Sequence, residues 1–290
     1  MSSRPSSPEL ALLAVAALAF ATASPIAKSI DGLSFATIAA GRCGVSAAAL
    51  VLVAPVATWT AVGKLDGRRR VALVGAGLLL AAHFALFLGG LLATSLPAAV
   101  ALVSLEPLAV VVAAWIAFGV RPERREQIGI AIATVGAVVV SRGAGQGEHR
   151  LIGDALVLGA VAIFGAYVAF ARGLRAAMPT MPYAASVYSV AAVALVPLAI
   201  AFDAHRAAPP ASAWLGVVAL GLVPTLVGHT LLQRGARHLP PSLVALVSPG
   251  ETVGSILIGA AMSRAPTPVE WAGAGLVVLG ASVAITGARG

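Results

Sequence analysis

Apolar residues in this chain come in long, nearly unbroken blocks. Water-soluble helices instead show an apolar stripe on one side, and half-buried strands alternate apolar with polar. Ten blocks can be drawn, at 9 to 27, 34 to 58, 71 to 91, 96 to 119, 126 to 141, 152 to 172, 183 to 202, 213 to 234, 241 to 262 and 268 to 286. An α-helix needs roughly 20 apolar residues to cross the ~30 Å hydrocarbon core of a bilayer. The blocks therefore predict an all-α integral membrane protein of ten spanning helices. The connections are short and leave no room for a soluble domain. The first block, "LALLAVAALAFATAS", also has the form of a cleavable secretory signal. Its removal would leave nine spans and spoil the symmetry described next, so it is read as a retained span.

Two phrases recur: "VALVSLEP" at Val100 to Pro107 and "VALVSPGE" at Val244 to Glu251, 144 positions apart. Aligned without gaps, Val100 to Gly143 and Val244 to Gly287 share 13 identities in 44 positions, among them Pro122 with Pro266, Glu126 with Glu270, Gly129 with Gly273 and Gly136 with Gly280. A small gap upstream pairs His83 with His229. The chain thus reads as an internal duplication, 1 to 145 and 146 to 290, of five spans each. Five is odd, so the second copy enters the membrane inverted. Inverted repeats of this kind mark many secondary transporters, whose substrate site lies near the midplane between the copies.

Composition agrees with a lipid solvent: 59% of residues are hydrophobic, 10% are charged, and mean hydropathy is +0.97. The abundant small residues suit close helix packing where lipid supplies no hydrophobic drive for association. The net charge of +8 might suggest nucleic acid, but the basic residues are sorted by loop: thirteen Lys and Arg share the side of the N-terminus and five lie opposite. That bias predicts a multi-pass protein of a bacterial inner membrane with both termini in the cytoplasm, and it makes nucleic acid an unnecessary partner. The single cysteine, Cys43, is expected to be a packing residue. Trp59, Trp214 and Trp271 are expected to anchor the membrane interface. Prolines 25, 97, 197, 224 and 249 are expected to break or kink helices and expose carbonyls.

Ionisable groups within spans are costly and so are candidates for function. Glu106 and Glu251 sit inside apolar spans. They could accept hydrogen bonds from a substrate ammonium or exchange protons, or they could tie helices together through hydroxyls and carbonyls freed near Pro107 and Pro249. Arg42, the one clear intramembrane cation, is read as structural or coupling, held by Glu106 or by helix-end carbonyls. His83, His229, Ser104, Ser248, Phe164 and Tyr167 complete the candidate substrate-binding set. For the histidines and aromatics, core packing is the competing reading. A single arginine is too little for phosphates or nucleotide sugars, so neutral, zwitterionic or aromatic substrates are expected, with protons as the candidate coupling ion. No phosphate-binding loop, HExxH or GxSxG occurs, and Asp154 stands alone near a helix start. An enzyme is therefore disfavoured, and no cofactor or metal is expected. A passive channel is not excluded by any motif.

The ten helices in two repeats, "AAGRCG" around Arg42, "LEPL" at 105 and the glycine-spaced fifth and tenth helices together resemble the EamA branch of the drug/metabolite transporter superfamily. The resemblance covers nearly the whole chain and implies alternating-access export of small metabolites. Members commonly carry an acidic residue and a proline in helices four and nine. Glu106 and Pro107 fit, whereas Pro249 with Glu251 leaves the register of helix nine open by two residues. "FGVRPE" and "MSRAPT" replace the Gly-Glu pair that usually follows. "SRAPTPVEWAG" and "IFGAYVAFARGLR" are similar to aromatic amino-acid exporters of the YddG type, which implies amino-acid substrates.

Overall fold

The computed structural model describes residues 7–119, 121–142, 149–204, 207–228, 231, 247–262 and 265–286. Their regular structure is entirely helical. In the first half, α1 (Ser7–Ala21) and α2 (Ala23–Lys28) make one broken span. The second span is α3 (Phe35–Val53), which continues past a bend into α4 (Pro55–Gly63), and the third is α5 (Gly67–Ala93). The fourth is broken into α6 (Leu96–Val103) and α7 (Glu106–Phe118), and the fifth is α8 (Arg124–Ser141). In the second half, α9 (Leu151–Phe170) is followed by the short α10 (Arg172–Ala177), then by α11 (Thr180–Asp203). The eighth span is α12 (Ala211–Leu220), running on as a π-helical stretch, Gly221–Gly228. The last two are α13 (Val247–Met262) and α14 (Pro268–Thr286).

Seven of these segments are long and apolar enough to cross a membrane, and the described parts of α13 and α14 are shorter apolar helices. The remaining one, α8, places Arg124, Arg125 and Glu126 in its first turn ahead of an apolar stretch. The chain is an all-α, ten-helix membrane protein of two inverted repeats. Local chemistry sets the helix starts. Ser34, Asp66 and Ser95 each accept a backbone N–H of the first turn of α3, α5 and α6, the usual role of short polar side chains there. Asp203, at the end of α11, takes further donors from Ser34 and Thr37 and so fastens α11 to α3. Gly119, at φ +68°, ends α7 with a left-handed cap.

The inverted symmetry is visible where α8 packs along α14. A Cβ on Gly136 would lie 2.9 Å from the Gly273 carbonyl oxygen, and one on Gly280 would lie 2.6 Å from that of Gly129. Gly129 and Gly136 are the repeat partners of Gly273 and Gly280. Each pair therefore joins a residue to the partner of its counterpart, the signature of a two-fold axis. The glycines allow backbone to touch backbone, which is how helices gain dispersion energy in lipid.

The prolines act in different ways. Pro97 and Pro107 stand in the first turn of a helix, where no N–H is needed. Pro197 lies inside α11, and Pro224 lies in the π-helical stretch. Trp59, Trp214 and Trp271 are all exposed on the outside of the bundle.

Gly136→Leu should strain the α8 and α14 seam, where an added Cβ already meets the Val277 nitrogen at 2.6 Å. The expected loss is about 1–3 kcal/mol of stability, read as a lower unfolding temperature in detergent. Gly275→Ala, where a Cβ would meet nothing within 4 Å, should leave it unchanged or raise it slightly, because alanine is the better helix former.

Candidate functional site

Pro224 has no N–H to give to the carbonyl of Leu220, four residues back. The π-helical register instead brings Thr225, five residues on, to that carbonyl, and its Oγ1 donates to Leu220 O at 2.8 Å. The same oxygen accepts from Arg42 Nε at 3.2 Å and Nη2 at 2.9 Å. Arg42 is 5% exposed on α3, with its guanidinium 4.4 Å from the centre of the Phe84 ring. Ser46, one turn further along α3, donates its single proton between Arg42 O at 2.8 Å and Gly221 O at 2.9 Å. The proline in the eighth span thus generates the seat that holds the intramembrane cation. Among the described residues no carboxylate pairs directly with Arg42, although Glu106 and Glu251 both lie in its electrostatic range. Glu106 and helix-end carbonyls are the partners expected from the sequence, and a neutral hydroxyl takes that place.

His83 is buried on α5 between the rings of Phe84, Phe87 and Phe164. Its Nδ1 lies 3.0 Å from Ala160 O. A carbonyl only accepts, so Nδ1 carries a proton and Nε2 is the nitrogen free to change state. Nε2 faces Glu106 Oε1 at 3.7 Å, too long for a hydrogen bond and short enough for an ion pair. One proton on this pair gives either imidazole with carboxylic acid or imidazolium with carboxylate, and both are neutral overall. Loss of that proton leaves a carboxylate facing the field of Arg42.

Glu106 keeps 22% of its side chain accessible and interacts electrostatically with Arg42 of α3 and Glu251 of α13. Three helices converge on it, so it points into the bundle. Phe164 and Tyr167 follow on α9, with ring centroids 6.1 Å apart, and the Tyr167 hydroxyl lies 2.9 Å from that of Tyr183 on α11. Ser104 is buried, and its hydroxyl donates to Ala101 O at 2.7 Å, bracing the break before Glu106 and Pro107. His229 lies outside the described residues, as do the side chains of Ser248 and Pro249 within α13.

The structure therefore brings together Arg42, His83, Glu106, Glu251, Phe164 and Tyr167. It adds Thr225, Phe84 and Tyr183, which the sequence did not single out. The proline before Thr225 was the one available signal, because a freed carbonyl beside a hydroxyl predicts a local bond. Asp154 is not alone: its carboxylate accepts from Thr94 at 2.8 Å and pairs with His149 at 2.8 Å. A separate apolar groove of about 1080 Å3, lined by Ala109, Ala113, Ala162, Ala166 and Arg172, runs between α7, α9 and α10. Its lining holds none of the central ionisable groups.

Thr225→Val keeps the shape of the side chain but strips the donor for Leu220 O and the acceptor for Arg42. It should cost about 1–3 kcal/mol for the stranded buried groups, measured as thermal stability in nanodiscs. Thr225→Ser should retain most of it.

The family model of the EamA-like transporter family matches residues 7–142 and again 151–286. The chain is 23% identical over 167 residues to the Uncharacterized transporter YwfM of Bacillus subtilis (strain 168), a match covering 57% of this chain and 56% of that protein. The chain thus spans about half the length of this curated relative. A solved structure, described only as the crystal structure of a protein, superposes with a TM-score of 0.69 at 22% identity and covers 98% of this chain and 99% of that one. It shares the fold. With two family matches that together take in every described helix, the chain belongs to the EamA-like transporter family.

Proposed function

We propose that the protein is a secondary transporter that exports small metabolites, with amino acids, aromatic ones among them, as the substrate class. It would work by alternating access between the repeats 1 to 145 and 146 to 290, which act as one membrane-embedded unit. The observation that supports this best is the convergence of one guanidinium, two carboxylates and several aromatic rings inside the bundle. A zwitterion can place its carboxylate toward Arg42 and its ammonium toward Glu106 and Glu251, while its side chain lies against Phe84, Phe164 and Tyr167. Such a guest replaces lost hydration with fixed charges of opposite sign, which an interior site must do for any ion. A phosphorylated dianion would meet two carboxylates and a single arginine.

The pair formed by His83 and Glu106 suits proton exchange, because its Nε2 side can bind or release a proton beside a substrate ammonium. Substrate ammonium and proton would then compete for one carboxylate, which couples their opposite movements. The excess of carboxylates over guanidinium also favours cationic metabolites or drugs as a second substrate class. The sorting of Lys and Arg supports an inner-membrane protein with both termini in the cytoplasm.

Reconstituted in liposomes and screened across amino acids, amines, sugars and nucleotides, the protein should show saturable flux of amino acids. Preference for phosphorylated compounds, or flux that never saturates, would overturn the reading. Glu106→Gln should cut proton-driven accumulation at least about tenfold, the effect of losing one charged contact, while downhill exchange continues. Accumulation that survives the substitution removes Glu106 from coupling.

A further inference from the structure

A second polar cluster lies far along the chain from the central site, where α9 and α14 begin. His149, just before α9, is 1% exposed, as is Asp154, and Glu270 is 5% exposed. His149 Nε2 donates to Asp154 at 2.8 Å, and its Nδ1 faces Glu270 Oε1 at 3.5 Å. From the first repeat, Thr94 donates to Asp154 at 2.8 Å and Ser95 donates to Glu270. Lys28, at the end of α2, donates to the carbonyls of Leu91 at 3.2 Å and Thr94 at 2.6 Å. Two basic groups and two carboxylates therefore meet at one end of the seam between the repeats.

Glu270 also has an ordinary duty, since it accepts from Thr267 N at 2.9 Å while its own N–H donates to Thr267 Oγ1, a capping box that starts α14. Its repeat partner Glu126 makes the same box with Glu123 at the start of α8. Among the described residues Glu126 does nothing more. The cross-repeat contacts are thus an addition present at one end only.

We propose that His149, Asp154 and Glu270 form the gate that seals the passage at the end where α9 begins, by tying the start of α6 in the first repeat to the starts of α9 and α14 in the second. The inference rests on the transporter reading, because alternating access needs one end closed while the other is open. Polar groups suit such a gate. Closed, His149 is hydrogen-bonded to Asp154 and lies at ion-pair distance from Glu270, with its Nδ1 making no hydrogen bond among the described residues; open, water replaces each partner, so neither state leaves a buried charge without an opposite one. An apolar plug of the same size would favour the closed state alone. Burial works against the charge on His149, but Asp154 and Glu270 outweigh it and hold the imidazole up at about 9. Hydrated in the open state, it would return toward about 6.5. The charge on His149 therefore favours closure fully below that ordinary value, and the advantage is lost as pH rises through about 9.

A cysteine in place of Phe164 reports the interior, and Cys43, fully buried, serves as the silent background. In proteoliposomes of known sidedness, an impermeant maleimide applied from the α9-start face should label the reporter about tenfold faster after His149→Gln or Glu270→Gln, the shift expected from one lost charged hydrogen bond. Labelling with the gate intact, divided at each pH by that of the same cysteine in the unfolded chain so that thiolate formation cancels, should rise between pH 7 and pH 9.5, about the span of the His149 change, and this normalised rise should vanish in His149→Gln. A separate chain carrying Ser95→Cys and Glu270→Cys, bridged by a short reducible thiol crosslinker, should stop solute movement until reduced. Unchanged labelling in both folded glutamine variants, or transport through the bridged protein, overturns the gate. If the parent moves no solute at all, the transporter reading fails, and labelling still decides whether this end opens. Should either glutamine variant fail to fold, the bridged pair, carrying Phe164→Cys, tests the gate through labelling mapped to position 164 by mass spectrometry, so that the two freed gate thiols are not counted: slow before reduction and fast after supports it, and equal rates overturn it.

Discussion

A carbonyl released inside hydrocarbon has no water to turn to, and much of this bundle follows from how such carbonyls are served. Pro25 frees the carbonyl of Ala21, and Ser255 of α13 donates to it at 2.8 Å. Pro224 frees that of Leu220, and Thr225 closes it at 2.8 Å. Ser46 reaches from α3 to Gly221 O. Each repair joins a broken helix to its own next turn or to a neighbour, so the breaks that weaken single helices also fasten the helices together. The breaks fall within the first, fourth and eighth spans, and the repair in the eighth leads directly to the interior cation.

The interior charges follow the same logic of satisfaction. Arg42 is held by a hydroxyl and a ring face, not by a carboxylate, so Glu106 and Glu251 are kept in its field and out of its grip. A direct ion pair would have neutralised the site and left little for a ligand to gain. The His83 ring is oriented by Ala160 on one side and turned toward Glu106 on the other, which leaves Nε2 as the nitrogen that faces the carboxylate. One geometric fact unites the two: a fixed contact, to a hydroxyl for Arg42 and to a backbone carbonyl for His83, holds each side chain in place without a carboxylate.

Symmetry and its violation divide the labour. Along α8 and α14 the glycines repeat the same contact about a two-fold axis, and a seam of that kind is equally good from either end. Glu126 and Glu270 occupy equivalent places on that seam and open their helices with equivalent capping boxes. Only Glu270 meets a histidine and a serine from beyond its own helix start among the described residues. A fold built twice from one plan thus acquires a difference between its two faces through a few side chains.

Much of this was legible in the chain itself. The block lengths alone determined ten spans, and the gap-free repeat determined the inversion, because both depend on covalent spacing and on the thickness of hydrocarbon. Arg42, Glu106 and Glu251 announced themselves, since a charge within an apolar block is conspicuous whatever surrounds it. The partners were not legible. Thr225 lies 183 residues from Arg42, Thr94 lies 60 from Asp154, and hydroxyls and backbone carbonyls are too common for sequence to mark which are used. Asp154 looked solitary because Thr94 reaches it from another helix and His149 lies outside the apolar block, just before the helix begins. Charge against hydrocarbon is a property of composition and can be read along a line; the satisfaction of that charge is a property of distance, and only packing in three dimensions sets it.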